Sequence, residues 1–102
     1  MPIIELKIKG RNFEYEVDGY AGTNPDIVVA EGDTVKVTFT SESGLHDWLL
    51  DEDGAIAKTE RVGTGQTAEE IEFTATPAGN YPYYCSVHGH RNDGMEGLFI
   101  IE

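Results

Sequence analysis

The chain has 102 residues, of which 39% are apolar and 25% charged. That is enough for one compact domain over residues 1–102 and too few for an additional catalytic domain. Its 19 Asp and Glu against 7 Lys and Arg give a formal net charge of −12, which excludes nucleic acids and anionic membranes as expected partners because both are bound through cationic side chains. No apolar run approaches the roughly 20 residues of a membrane helix. Apolar and charged residues alternate soon after Met1 and Pro2, so we expect no signal peptide within this sequence.

Most of the chain carries the pattern of short β-strands. Alternation of apolar and polar residues is typical of a strand with one buried face, and it runs through Ile4–Lys9, Val35–Thr40 and Glu70–Ala75. One helical turn is expected within Ala55–Arg61. With glycine-rich turns between the strands, the pattern predicts an all-β fold, a Greek-key β-sandwich or flattened barrel of seven to eight strands. Shorter apolar runs predict the remaining strands at Phe13–Val17, Ile27–Ala30, Trp48–Leu50, Tyr81–Cys85 and Leu98–Ile101.

The single cysteine, Cys85, excludes an internal disulfide. Taken alone, this residue is compatible with three roles: an apolar residue of the core, a reactive thiol or a metal ligand. Its neighbours in the sequence bear on that choice.

The segment from Cys85 to Met95 is the most informative part of the chain. It places a thiol, two imidazoles and a thioether between two predicted strands. Sulfur ligands together with imidazole nitrogens select copper, and two His and one Cys with a weak axial Met form the blue-copper arrangement. Glycines in this segment allow the turns that direct several side chains at one centre. A further ligand is expected from outside the segment, and His46 is the only remaining histidine.

These residues resemble the cupredoxins, the type 1 blue copper proteins. Cys85, His90 and Met95 match the spacing Cys-x4-His-x4-Met, and His46 matches the upstream histidine. The sequence resembles the rusticyanin and sulfocyanin branch over residues 26–102 and is less similar over residues 1–25. The resemblance implies one copper ion bound by these four residues. It also implies a cysteine thiolate and two neutral imidazoles, so that acid competes with copper.

His88 is the alternative ligand. Some cupredoxins carry Cys-x2-His-x4-Met, and Cys85 with His88 satisfies the first half of that pattern, but the methionine would then fall at Asp93. Counting from His90, the methionine falls at Met95, so His90 is favoured. His88 is then an exposed loop residue, a group beside the ligands or a pH-sensitive substitute for one of them. Met95 itself is either the axial ligand or a packing residue.

The resemblance further implies a monomeric protein that carries single electrons outside the cytoplasm by cycling between Cu(I) and Cu(II). Its acidic surface would attract redox partner proteins with a basic docking face. Three alternatives stay open. A copper enzyme acting on nitric oxide or nitrite needs an open coordination position, which Met95 would fill. A copper carrier needs a flexible, sulfur-rich site, and a thiol–histidine hydrolase needs an oxyanion hole, for which we find no candidate.

Asp47 departs from a common feature of the family, in which Asn follows the upstream histidine and its amide helps tie that strand to the cysteine loop. An ionised carboxylate accepts hydrogen bonds but cannot donate them. We therefore expect Asp47 to place negative charge beside the metal, which would favour Cu(II) and lower the reduction potential.

Overall fold

The computed structural model describes residues 3–102. Met1 and Pro2, the start of the segment in which no signal peptide is expected, lie outside the described residues. Regular structure in the described part consists of strands and one short 3₁₀ turn. The elements are β1 (Ile3–Arg11), β2 (Glu14–Val17), β3 (Ile27–Val29), β4 (Thr34–Ser41), β5 (Leu49–Leu50), the 3₁₀ turn Glu52–Gly54, β6 (Ala57–Lys58), β7 (Ile71–Thr74), β8 (Gly79–Tyr84) and β9 (Glu96–Ile101).

The strands form two sheets packed as a β-sandwich, which confirms the predicted all-β class. One sheet has the strand order β2-β1-β4-β7, and the other has the order β3-β9-β8-β5-β6. Strand β1 runs parallel to β4, and β3 runs parallel to β9, whereas the other neighbours are antiparallel. Residues 3–102 contain no helix of the length and apolarity that a membrane span requires.

Each of the eight strands predicted from the sequence is present, with ends shifted by a few residues. Strand β6 raises the number above the expected seven to eight. The prediction of a helical turn within Ala55–Arg61 is wrong, because Ala57 and Lys58 form a strand that pairs with Leu50 and Leu49 of β5. A two-residue strand has no periodicity of its own, so its pairing with β5 determines the structure here.

Inward-facing residues of both sheets form one apolar core. Every second residue of β4 is buried, as a half-buried strand requires. The ring centroid of Trp48 lies 6.0 Å from that of Tyr83 and 6.3 Å from that of Phe99. Cys85 and Met95 belong to the same buried cluster. The segment that carries the candidate ligands is therefore continuous with the core.

Gly97 of β9 gives the first testable prediction. It pairs with Tyr83 of β8, and a Cβ at this position would overlap the Tyr83 ring. That ring is fully buried, and its hydroxyl donates to the carbonyl of Pro25 at 2.7 Å, so it has little room to move. We expect Gly97→Ala to reduce the free energy of unfolding by about 1–3 kcal/mol, as measured by urea denaturation of the metal-free protein.

Gly63→Ala is the matched control for this substitution. A Cβ at Gly63 would meet only the Gln66 side chain, at 3.4 Å. We expect a change within about 0.5 kcal/mol. Equal effects of the two substitutions would contradict the packing explanation.

Candidate metal centre

His46 lies between β4 and β5 and is fully buried. Its backbone N–H and carbonyl pair with Val62, at 3.0 Å each. Its Nε2 lies 2.6 Å from the carbonyl oxygen of Ser43. Because that oxygen can only accept, Nε2 carries the proton and Nδ1 presents a lone pair. Gly44, at a φ of 87°, permits this contact, since a Cβ there would lie 3.2 Å from His46 Nε2 and 2.7 Å from Asn12 Oδ1.

Cys85 and His90 come from the segment between β8 and β9. The Cys85 side chain is nearly fully buried. Its Sγ lies 3.7 Å from Nδ1 of His46 and 3.5 Å from Nδ1 of His90. The segment folds back on itself because the His90 carbonyl accepts hydrogen bonds from the N–H groups of Asp93 and Met95, at 3.1 Å each. This turn brings Met95 back beside His90, and the His90 N–H donates to the Val87 carbonyl at 3.0 Å on the cysteine side.

Met95 ends the same segment and is fully buried. Its carbonyl accepts the N–H of Cys85 at 3.3 Å, which holds its backbone beside that ligand. Gly10 of β1 leaves space for the thioether: a Cβ there would lie 3.1 Å from Met95 Cε and 2.8 Å from Phe39 Cζ. This placement is compatible with both roles considered from the sequence, so axial ligation by Met95 stays a prediction.

The donor atoms fit a single copper ion. Those of His46, Cys85 and His90 all lie within 4.8 Å of one another. A metal about 2.0 Å from nitrogen and about 2.3 Å from sulfur holds the two roughly 3.5–3.7 Å apart at tetrahedral to trigonal angles. The observed separations of 3.5 and 3.7 Å agree with that range. His88 is exposed and lies outside this group.

Burial of the site affects both kinds of ligand. Loss of hydration lowers the pKa of His46, which keeps its imidazole neutral and able to bind a cation. Burial raises the pKa of the Cys85 thiol, so sulfur holds its proton in the metal-free protein and releases it when a metal binds.

Asp47 joins the two ligand-bearing segments. Its buried carboxylate accepts hydrogen bonds from the backbone N–H of Ser86 at 2.7 Å and from the Ser86 hydroxyl at 2.5 Å. Arg61 Nε lies 3.3 Å from the same carboxylate. The residue after His46 is thus tied to the residue after Cys85. A carboxylate maintains this connection because Ser86 supplies the donors.

The β1–β2 hairpin and the residues that follow it cover the site, although the sequence resemblance is weak there. The Phe13 ring meets the His90 ring edge-on, with centroids 4.9 Å apart. Asn24 accepts the Tyr15 N–H at 2.8 Å and donates to the Gly94 carbonyl at 3.0 Å. Sequence reasoning missed these contacts. The only available signal was the apolar run that predicted β2, and it does not indicate what that strand covers.

Tyr15 gives the second prediction. Its phenol is fully buried and donates to the backbone carbonyl of Asp47. Burial raises its pKa well above the ordinary value, so it remains a donor. Tyr15→Phe leaves a buried carbonyl without this partner, and we expect the free energy of unfolding of the metal-free protein to fall by about 1–3 kcal/mol.

Tyr81→Phe provides the control in the same urea titration. The Tyr81 hydroxyl donates to Pro77 at 2.7 Å at the surface, where water can replace it. We expect a loss below about 1 kcal/mol. A loss as large as that of Tyr15→Phe would show that burial is not the cause.

A β-sandwich with two histidines and one cysteine converging at the end of a strand defines a copper-binding protein. Residues 21–102 match the copper binding proteins of the plastocyanin/azurin family. The chain belongs to this family, and copper is its metal.

Individual relatives are more distant in sequence. The chain is 24% identical to auracyanin-A of Chloroflexus aurantiacus, over 96% of this chain and 73% of that protein. Among solved structures, it is similar to dithionite-reduced auracyanin from Roseiflexus castenholzii, with 26% identity, a TM-score of 0.75, and coverage of 98% of this chain and 96% of that one. Rusticyanin from Thiobacillus ferrooxidans has 25% identity and a TM-score of 0.79, with coverage of 98% and 77%. The structural likeness therefore extends through residues 3–25.

Proposed function

We propose that this protein is a single-domain electron carrier with one type 1 copper ion bound by His46, Cys85, His90 and Met95. When bound, copper supplies a one-electron couple between Cu(I) and Cu(II). The observation that carries the proposal is the convergence of three donor groups, two of them buried, within 4.8 Å of one another.

The ligands are held by contacts that need no metal. Val62 and Ser43 hold His46, and the backbone of Met95 holds Cys85. A site of this kind changes little in shape between oxidation states, which suits rapid electron transfer. The family supports this role: auracyanin A is known as a blue copper protein, and the auracyanin of Roseiflexus castenholzii has been determined in a reduced form.

His90 offers the route by which an electron leaves the site. His46 and Cys85 are enclosed, whereas the His90 ring is only partly buried. Phe13 lies against this ring and is itself 39% exposed. An apolar edge around a ligand allows close approach of a redox partner.

The partners follow from charge. A formal net charge of −12 favours proteins with a basic docking face, met in short-lived complexes that weaken as salt is added. The proposed carrier acts as a monomer outside the cytoplasm, a location that rests on the family resemblance.

Adding Cu(II) to the metal-free protein tests the proposal. We expect an intense visible band from thiolate-to-copper charge transfer, bleached by a one-electron reductant and restored by an oxidant. Cys85→Ser, which keeps a side chain of similar size, should lack the band. A colourless wild-type protein that binds zinc tightly and gives no such band with copper would refute the proposal.

The enzymatic alternative requires a coordination position that small molecules can reach. His46, Cys85 and Met95 are all buried, which favours electron transfer over turnover of nitric oxide or nitrite. Assays with these two substrates separate the alternatives, since a carrier should be oxidised or reduced once without catalytic turnover.

A further inference from the structure

The carboxylate of Asp47 poses an electrostatic problem at the copper site. Its side chain is 5% exposed and bonds to the residue next to Cys85. A buried negative charge there stabilises Cu(II) more than Cu(I), as the sequence already suggested. The carboxylate also needs compensation for its lost hydration.

Arg61 is the cation that meets this carboxylate. Its Nε lies 3.3 Å from Asp47 Oδ2. A second nitrogen of the same guanidinium donates to the Ser86 hydroxyl at 2.9 Å and to the Ser86 carbonyl at 3.1 Å. One side chain therefore contacts both the residue after His46 and the residue after Cys85.

The backbone holds Arg61 in this position. The next residue, Val62, forms an isolated bridge with His46, with two hydrogen bonds of 3.0 Å. The planar guanidinium of Arg61 can then bind Asp47 and Ser86 at once, which the single ammonium of a lysine cannot do in the same way. The backbone next to Arg61 is thereby attached to the upstream ligand.

We propose that Arg61 is a positioning residue of the metal site, which ties the His46 segment to the Cys85 segment and offsets the charge of Asp47. This inference rests on the proposed copper site. An uncompensated charge on Asp47 would lower the reduction potential of the copper. With Arg61 beside it, the Asp47 carboxylate can connect the two segments while lowering the potential less. Half of the Arg61 side chain is exposed, so solvent screens part of its attraction to Asp47. We therefore expect Arg61 to change the ratio of Cu(I) to Cu(II) affinity only severalfold.

Reduction potentials of the copper protein test the electrostatic part. Arg61→Gln should lower the ratio of Cu(I) to Cu(II) affinity about three- to tenfold, or about 28–59 mV for one electron. Arg61→Lys keeps the charge and should shift the potential by less than half as much. Lys58→Gln removes an equal charge from an exposed site on β6 and is the matched control. A shift for Arg61→Gln no larger than that for Lys58→Gln would overturn the proposal.

Unfolding of the metal-free protein tests the structural part. Arg61→Gln should lower the urea midpoint in the wild-type background and lower it less than half as much in Asp47→Asn, because residues in contact are energetically coupled. Arg61→Lys should lose part of this coupling, because lysine cannot bind Asp47 and Ser86 together as the guanidinium does. Additive effects of Arg61→Gln and Asp47→Asn on the urea midpoint would overturn the proposal that Arg61 connects the two ligand segments. This measurement needs no copper, so it stands even if the wild-type protein gives no blue band and the proposed function fails.

Discussion

His90→Ala should abolish the visible band of the Cu(II) protein, whereas His88→Ala should leave it in place. Nδ1 of His90 lies 3.5 Å from Cys85 Sγ, and His88 is exposed and outside the donor group. Mutation of a residue that only hydrogen-bonds to a metal ligand already lowers metal affinity about 10- to 100-fold. Removing the ligand itself should lower copper affinity by more than about 100-fold. Visible absorption and paramagnetic resonance spectra of copper titrations measure both effects.

Folding of both variants is checked by urea denaturation without metal. Because His90 is only partly buried and His88 is exposed, neither substitution should unfold the protein. A blue site that survives His90→Ala and disappears with His88→Ala would reverse the ligand assignment.

Trp48→Ala should remove a large part of the stability of the protein. Trp48 is fully buried among Tyr83, Phe99 and Phe73. Truncating such a residue costs about 3–5 kcal/mol, out of a total near 5–15 kcal/mol for a domain. Trp48 also directly follows Asp47, so the connection between the ligand segments should loosen and copper binding should weaken.

Trp48→Phe distinguishes lost volume from lost polarity. Among the described residues, Trp48 Nε1 has no hydrogen-bond partner, so phenylalanine keeps a ring and removes an unpaired buried donor. We expect a cost below about 1.5 kcal/mol. Circular dichroism is the suitable probe, because Trp48 is the only tryptophan in the chain. A cost equal to that of alanine would contradict an explanation based on packed volume.

Local pattern determined much of the fold. Alternating residues in segments such as Ile4–Lys9 and Val35–Thr40 predicted strands that the structure contains, because one face of each strand packs on the core. Strand β6 was not predictable in this way. It has two residues, and its conformation depends on pairing with β5 rather than on its own sequence.

The sequence by itself also determined the chemistry of the site. One cysteine, the nearby histidines and Met95 limit the metal to one that accepts sulfur and imidazole ligands, because donor type and spacing are local properties of the chain. His46 entered the prediction because no other histidine remained and because it matches the upstream histidine of the cupredoxins.

Only the tertiary structure decided what surrounds those ligands. Tyr15, Arg61 and Phe13 reach the site through contacts between residues far apart in the chain. No periodicity or motif records such contacts, since they depend on how the two sheets and their loops meet. The charge of Asp47 illustrates the difference. The sequence showed the carboxylate beside a ligand, but its compensation by Arg61 exists only where the fold brings the two segments together.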